Sequence, residues 1–180
     1  MCRYAAFLRG INVGGHRVKS TELCAVFEGM GLGDVRTLRA SGNVIFAAQS
    51  EAPEELSARI EAGLRRSLGY EVATFLRTAE QIRLIAGLQP FMPAWVEASA
   101  GKLHVGMLSA RPGSRARKDV LALASDQDRL AFGERELYWL PSGGMLESAL
   151  DLAMIERLLG PSTMRTKGTI ELIASKHCAE

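Results

Sequence analysis

Arg9, Asn12, His16, Arg17 and Lys19 crowd one short segment, FLRGINVGGHRVKST (residues 7–21), where they alternate with Gly10, Gly14 and Gly15. This combination suits an anion. Guanidinium and ammonium groups supply charge-assisted hydrogen bonds, while glycines let backbone N–H groups approach closely. A helix opening just after the segment would add the positive end of its dipole. A second glycine-centred polar segment, Ser41-Gly42-Asn43, follows in VRTLRASGNVIF. We read Arg9 as pairing with the anion from the rim of a cavity and the N–H groups near Gly14 and Gly15 as its cradle, with Gly10, Ser41 and Gly42 also counted among the ligand-binding residues. Asn12 and Asn43 would orient the ligand, with both side chains facing the cavity. The competing reading is structural: the glycines supply turn geometry, Asn12 bonds its own backbone and the cations are solvated.

Known phosphate-loop chemistries do not fit. A Walker A loop needs Lys directly after its last glycine, but Gly15 precedes His16, and the G-x-G-x-x-G dinucleotide fingerprint is missing. Ser41 is not in a G-x-S-x-G elbow, so a hydrolase triad has no anchor. His16, His104 and His177 are scattered, and Cys2, Cys24 and Cys178 form no CxxC pair. We therefore expect reduced thiols and no metal, and the sequence assigns no cofactor and no reaction. Asp126 and Asp128 read as turn-capping carboxylates, and Trp95, Tyr138 and Trp139 as core or hinge aromatics.

Composition narrows the class. The chain has 180 residues, 47% hydrophobic and 23% charged, with a net charge of +2, which describes an ordinary globular protein rather than a disordered or strongly basic one. No apolar run approaches the roughly 18 residues that cross a bilayer. The N-terminus MCRYAAFLRG has no signal-peptide pattern, so a cytoplasmic location and no membrane partner are expected. The run ARPGSRARK (residues 110–118) reads as a solvated helix entry that could also touch nucleic acid.

The elements that must hold these residues follow from periodicity. RYAAFL reads as a buried strand. In TELCAVFEGMG, Leu23, Val26, Phe27 and Met30 make one helical face, with Ser20 as N-cap. DVRTL and NVIFAA form a hairpin around RASG, a second helix runs from Pro53 through Leu56, Ile60, Leu64 and Leu68, and YEVATFL is a fourth strand. The order βαββαβ is the split-βαβ pattern of a ferredoxin-like unit. In it, loop 9–19 and turn 40–43 fall at the same end of the sheet. Thr78 and Gln81 form a capping box for a connecting helix. KLHVGML, RKDVLALAS, DRLAF, ELYWL and ESALDLAMIERLLG then repeat the order, while the stretch after Pro161 reads as a loop and terminal helix without a strand. The expected class is α+β: two ferredoxin-like subdomains, antiparallel sheets with helices packed on them, at 1–78 and 102–180, joined by a helix and Pro-containing linker at 79–101.

YAAFLRGINVGG, VRTLRASGNVIF and STMRTKGTIELI together resemble a bacterial family catalogued as domain-of-unknown-function family 1697, across nearly the whole chain. The resemblance implies two ferredoxin-like subdomains and no established activity. Arg9, Asn12, Gly14, Gly15, Ser41, Gly42 and Asn43 keep the family pattern. Near the C-terminus Thr163, Arg165 and Thr169 fit a Thr-x-Arg-Asn-Trp-Asn-Thr segment, which adds Arg165 to the ligand-binding candidates, but Thr166, Lys167 and Gly168 replace its Asn-Trp-Asn. Ser20 and Leu38 also depart, from Met and Tyr.

Three functions are open on these grounds. The first is a small phosphate- or nucleotide-like ligand bound at loop 9–19 and turn 40–43. The second is a nucleic-acid module using the sheet face, where Tyr4, Phe7 and Phe46 would have to be exposed. The third is a protein-interaction surface without catalysis.

Overall fold

The computed structural model describes residues 1–39, 42–49, 51–100 and 102–178. Ser41 lies outside the described residues. Contacts divide the chain into two compact units, Met1–Arg83 with Ile173–Glu180, and Leu84–Leu172.

The first unit is built from β1 (Cys2–Arg9), α1 (Ser20–Gly29), β2 (Gly33–Thr37), β3 (Asn43–Ala48), α2 (Pro53–Leu68) and β4 (Ala73–Thr78). Its sheet has the order β2-β3-β1-β4, antiparallel throughout. Alternation along β1 sends Tyr4, Ala6 and Leu8 into a core completed by Val44 and Phe46 of β3. Leu23 and Phe27 of α1 and Leu56, Ile60 and Leu64 of α2 close that core at helical spacing. Pro53 stands at the first position of α2, where its missing N–H costs nothing, and Gly69 ends the helix in the left-handed conformation (φ 83°). One detail differs from expectation: Lys19, extended at φ −73°, ψ 150°, is the N-cap of α1, and Ser20 is its first helical residue.

The second unit contains α3 (Ala79–Gly87) from Leu84 onward, then α4 (Pro93–Ala98), β5 (His104–Leu108), α5 (Ser114–Leu121), β6 (Asp128–Phe132), β7 (Glu136–Pro141), α6 (Leu152–Leu159) and β8 (Ser162–Thr166), with the unit boundary falling inside α7 (Lys167–His177). Its sheet order, β6-β7-β5-β8, repeats that of the first unit. Val120, Leu130, Leu137, Trp139 and Ile155 form its core. The Thr78–Gln81 capping box at the head of α3 is present, each backbone N–H meeting the other's side-chain oxygen at 3.0 and 3.2 Å.

Three expectations are corrected. STMRT is a strand, not a loop: Ser162–Thr166 pairs antiparallel with β5 from Leu108↔Ser162 to His104↔Thr166, so the second sheet is closed as the first is. The Pro-containing linker carries a helix of its own, α4, with Pro93 in its first turn. Helix α6 begins later than its apolar pattern suggests, because Asp151 is the N-cap and accepts from the Met154 N–H at 2.8 Å, leaving Leu150 before the helix. No helix among the described residues is long and apolar enough to cross a membrane.

Candidate functional site: a basic cavity at the end of the first sheet

The antiparallel register Phe7↔Asn43 puts the end of β1 beside the start of β3. The Leu8 N–H donates to the Gly42 carbonyl at 2.8 Å, which ties the mouth of loop 9–19 to turn 40–43. Gly42 is required there. Its φ is +72°, and a Cβ on it would stand 2.8 Å from Ile11 Cγ2 and 3.1 Å from Leu8 Cβ. Gly10, Gly14 and Gly15 also adopt positive φ (82°, 61° and 87°), which lets the loop fold back on itself.

Between these segments lies a cavity of about 660 Å³. Ile11, Val18 and Leu23 give it an apolar side. His16, Arg17, Lys19 and Arg39 give it a basic one, and Asn12, Ser20 and Thr37 supply amide and hydroxyl groups. No Asp or Glu lines it among the described residues. It opens on the first turn of α1, where the N-cap Lys19 makes no side-chain cap hydrogen bond. Arg39 holds a left-handed backbone conformation (φ 57°), strain of order 1–3 kcal/mol that a non-glycine residue bears only when its surroundings enforce it.

The loop is braced from below. Tyr70, in the connection from α2 to β4, donates its hydroxyl to the Ile11 carbonyl at 2.7 Å. Its ring stacks on His16, with centroids 4.1 Å apart and planes 23° from parallel. Burial, and secondarily the Glu22 carboxylate, pushes the Tyr70 phenol above its ordinary pKa of 10, so the donor stays protonated. Asn12 Oδ1 accepts from the Val18 N–H at 2.9 Å and closes the loop across its width.

Of the residues singled out from the sequence as site candidates, Asn12, Gly15, His16, Arg17, Lys19 and Gly42 line the cavity. Gly10 and Gly14 shape the loop without lining it. Asn43 does not face the cavity as expected: it is 1% exposed, and its Nδ2 donates to the Leu38 carbonyl at 2.9 Å, inside its own hairpin. Arg9 is half-buried at the end of β1 and does not line the cavity either, though one guanidinium nitrogen is enclosed. Arg165 belongs to the second unit, on β8, where it donates to Thr163 Oγ1 and the Met164 carbonyl, both at 2.8 Å. Burial lowers its pKa to about 10, which leaves it charged at neutral pH.

Sequence reasoning missed Thr37 and Arg39 as cavity residues. The available signal was position: Thr37 ends β2 and Arg39 opens the RASG segment that ends in Gly42. Tyr70 was also missed, since nothing in its local sequence reveals a bond to a carbonyl 59 residues away. Tyr4, Phe7 and Phe46 are all buried, at 6%, 0% and 0% exposure, so none of them is available to stack a base on the sheet. Among the described residues no group of three or more His, Cys, Asp or Glu side chains could hold a metal ion.

A family model described as "Protein of unknown function (DUF1697)" matches residues 1–138. The chain is similar to a solved structure described as that of conserved bacterial protein SP0830 from Streptococcus pneumoniae, with a TM-score of 0.73 and 23% identity, covering 97% of each chain. At that identity the likeness speaks for the fold alone. No curated protein matches the chain.

Proposed function

The chain belongs to the DUF1697 family of proteins of unknown function, and we propose that it binds a small anionic ligand, phosphate- or nucleotide-like, in the cavity between loop 9–19 and turn 40–43. One observation carries the reading: Arg17, Lys19 and Arg39 converge with His16 on a cavity of about 660 Å³ that no described carboxylate lines. That volume lies within the roughly 300–1,000 Å³ of small-molecule sites. Unopposed cations around a concavity raise the local potential for an anion, and the first turn of α1 adds oriented N–H groups. Gly15, which lines the cavity, lets the backbone come close to the bound group.

The three cations are exposed, so water and salt screen each of them. Binding is accordingly salt-sensitive and shared among them. The experiment is a thermal-shift series with inorganic phosphate, sugar phosphates and nucleotides at low ionic strength. A ligand at one hundred times its Kd contributes about 2.7 kcal/mol to stability. Stabilisation that weakens in Lys19→Ala and Arg39→Ala supports the reading, and its absence with every phosphate compound at millimolar concentration contradicts it.

A further inference from the structure

We infer that the ligand of this cavity carries a planar ring as well as a phosphate, with the ring laid against His16, so that the favoured class is a nucleoside monophosphate rather than a bare phosphate or a sugar phosphate. The inference rests on the anionic-ligand reading and specifies its chemistry. Its ground is the His16–Tyr70 stack. His16 lines the cavity, whereas Tyr70 does not. Tyr70 is stacked on one face of the imidazole, the ring centroids 4.1 Å apart, which leaves the opposite face without that partner as the surface on which a ligand ring would lie.

The stack is anchored. The Tyr70 hydroxyl is bound to the Ile11 carbonyl, and Ile11 lines the same cavity, so the ring pair and the cavity wall are one assembly. A preformed aromatic platform binds a second ring without first ordering a mobile side chain, which is where much of the cost of recognition otherwise lies. Ile11, Val18 and Leu23 provide an apolar wall that a phosphate or a sugar phosphate alone would leave wet, and a heterocycle would cover it. The basic side chains then take the phosphate. Stacking on aromatic side chains tolerates any base, because every base has a π face, so the platform selects a ring and not a particular nucleobase.

The test uses the full chain and three probes, inorganic phosphate, ribose 5-phosphate and adenosine 5′-monophosphate, titrated by calorimetry at one low ionic strength. Adenosine monophosphate is expected to bind about tenfold or more tightly than ribose 5-phosphate, the range that base stacking supplies. His16→Ala should bring the ratio of the two affinities close to one, and His16→Phe, which keeps a stacking ring, should preserve it. Circular dichroism spectra superimposable with wild type establish that the variants are folded. Equal affinities for the two ligands in the wild-type chain overturn the inference and leave the anionic reading standing. An affinity ratio that survives in His16→Ala also overturns it. Failure of all three probes to bind overturns both readings.

Discussion

Leu8 and Gly42 are joined by a backbone hydrogen bond of 2.8 Å, and a side chain at Gly42 would collide with Ile11 and with Leu8 itself. Gly42 therefore sits against the end of β1 and the start of the loop after it only because it has no Cβ. Gly42→Ala combines a left-handed backbone penalty with overpacking and should cost about 2–4 kcal/mol. A urea unfolding midpoint within error of wild type would show that the turn and loop are not in close contact.

Tyr70→Phe keeps the ring against His16 and removes the hydroxyl bound to the Ile11 carbonyl. The expected loss is about 1 kcal/mol. The more telling readout is amide hydrogen exchange, which should accelerate within loop 9–19 before it changes in the core strands. Unchanged exchange in that loop would mean that the loop stands without the brace.

In the second unit the Asp128 carboxylate is 3% exposed and accepts from Trp139 Nε1 at 2.8 Å and from Ser148 Oγ at 2.7 Å. Asp128→Ala strands a buried indole N–H and should cost roughly 2–4 kcal/mol, while Ser148→Ala, which leaves the indole bond in place, should cost about 1 kcal/mol. The two variants separate in chemical unfolding. Near-ultraviolet dichroism should change more in the first, because Trp139 loses its fixed partner.

Acid should weaken the fold through two histidines. Burial is the main cause that lowers the pKa of His104, with Lys102 second, and burial followed by Arg36, Arg3 and Lys176 lowers that of His177. Each imidazole is thus neutral in the folded state at a pH where the unfolded chain already binds a proton. The stability that this contributes is fully present above the ordinary value of 6.5 and is lost as pH falls through that value toward the folded pKa. Imidazole titration followed by NMR should give both midpoints below 6.5, and a midpoint at or above it for His104 would contradict the burial of that ring.

The elements that announced themselves in the sequence are those in which a periodic apolar face does the work. Leu23 and Phe27 on α1, and Leu56, Ile60 and Leu64 on α2, are buried where their spacing places them. Strand β8 was hidden because Ser162, Thr163, Met164, Arg165 and Thr166 offer no alternation of large apolar residues; it is pairing with β5 that makes it a strand. The shared end of loop 9–19 and turn 40–43 followed from antiparallel topology alone. Side-chain direction did not. Asn43 turns inward to Leu38, a local bond that an Asn beside a tight turn can always make, and no spacing rule distinguishes it from a ligand contact. Arg39 was overlooked because its place in the cavity depends on a left-handed backbone that residue type does not signal.

The most direct measurement of the central claim is a phosphate titration of the 15N-labelled protein followed through its backbone amides. Saturable shifts confined to Gly14, Gly15, Lys19 and Ser20, together with Arg39 and Gly42 across the cavity, are the result expected. Shifts of that set should shrink severalfold in a Lys19→Ala, Arg39→Ala double variant and at high ionic strength. The absence of saturable shifts there, or their appearance instead around a separate cavity lined by Arg111, Arg117 and Lys118, would contradict the assignment of the site.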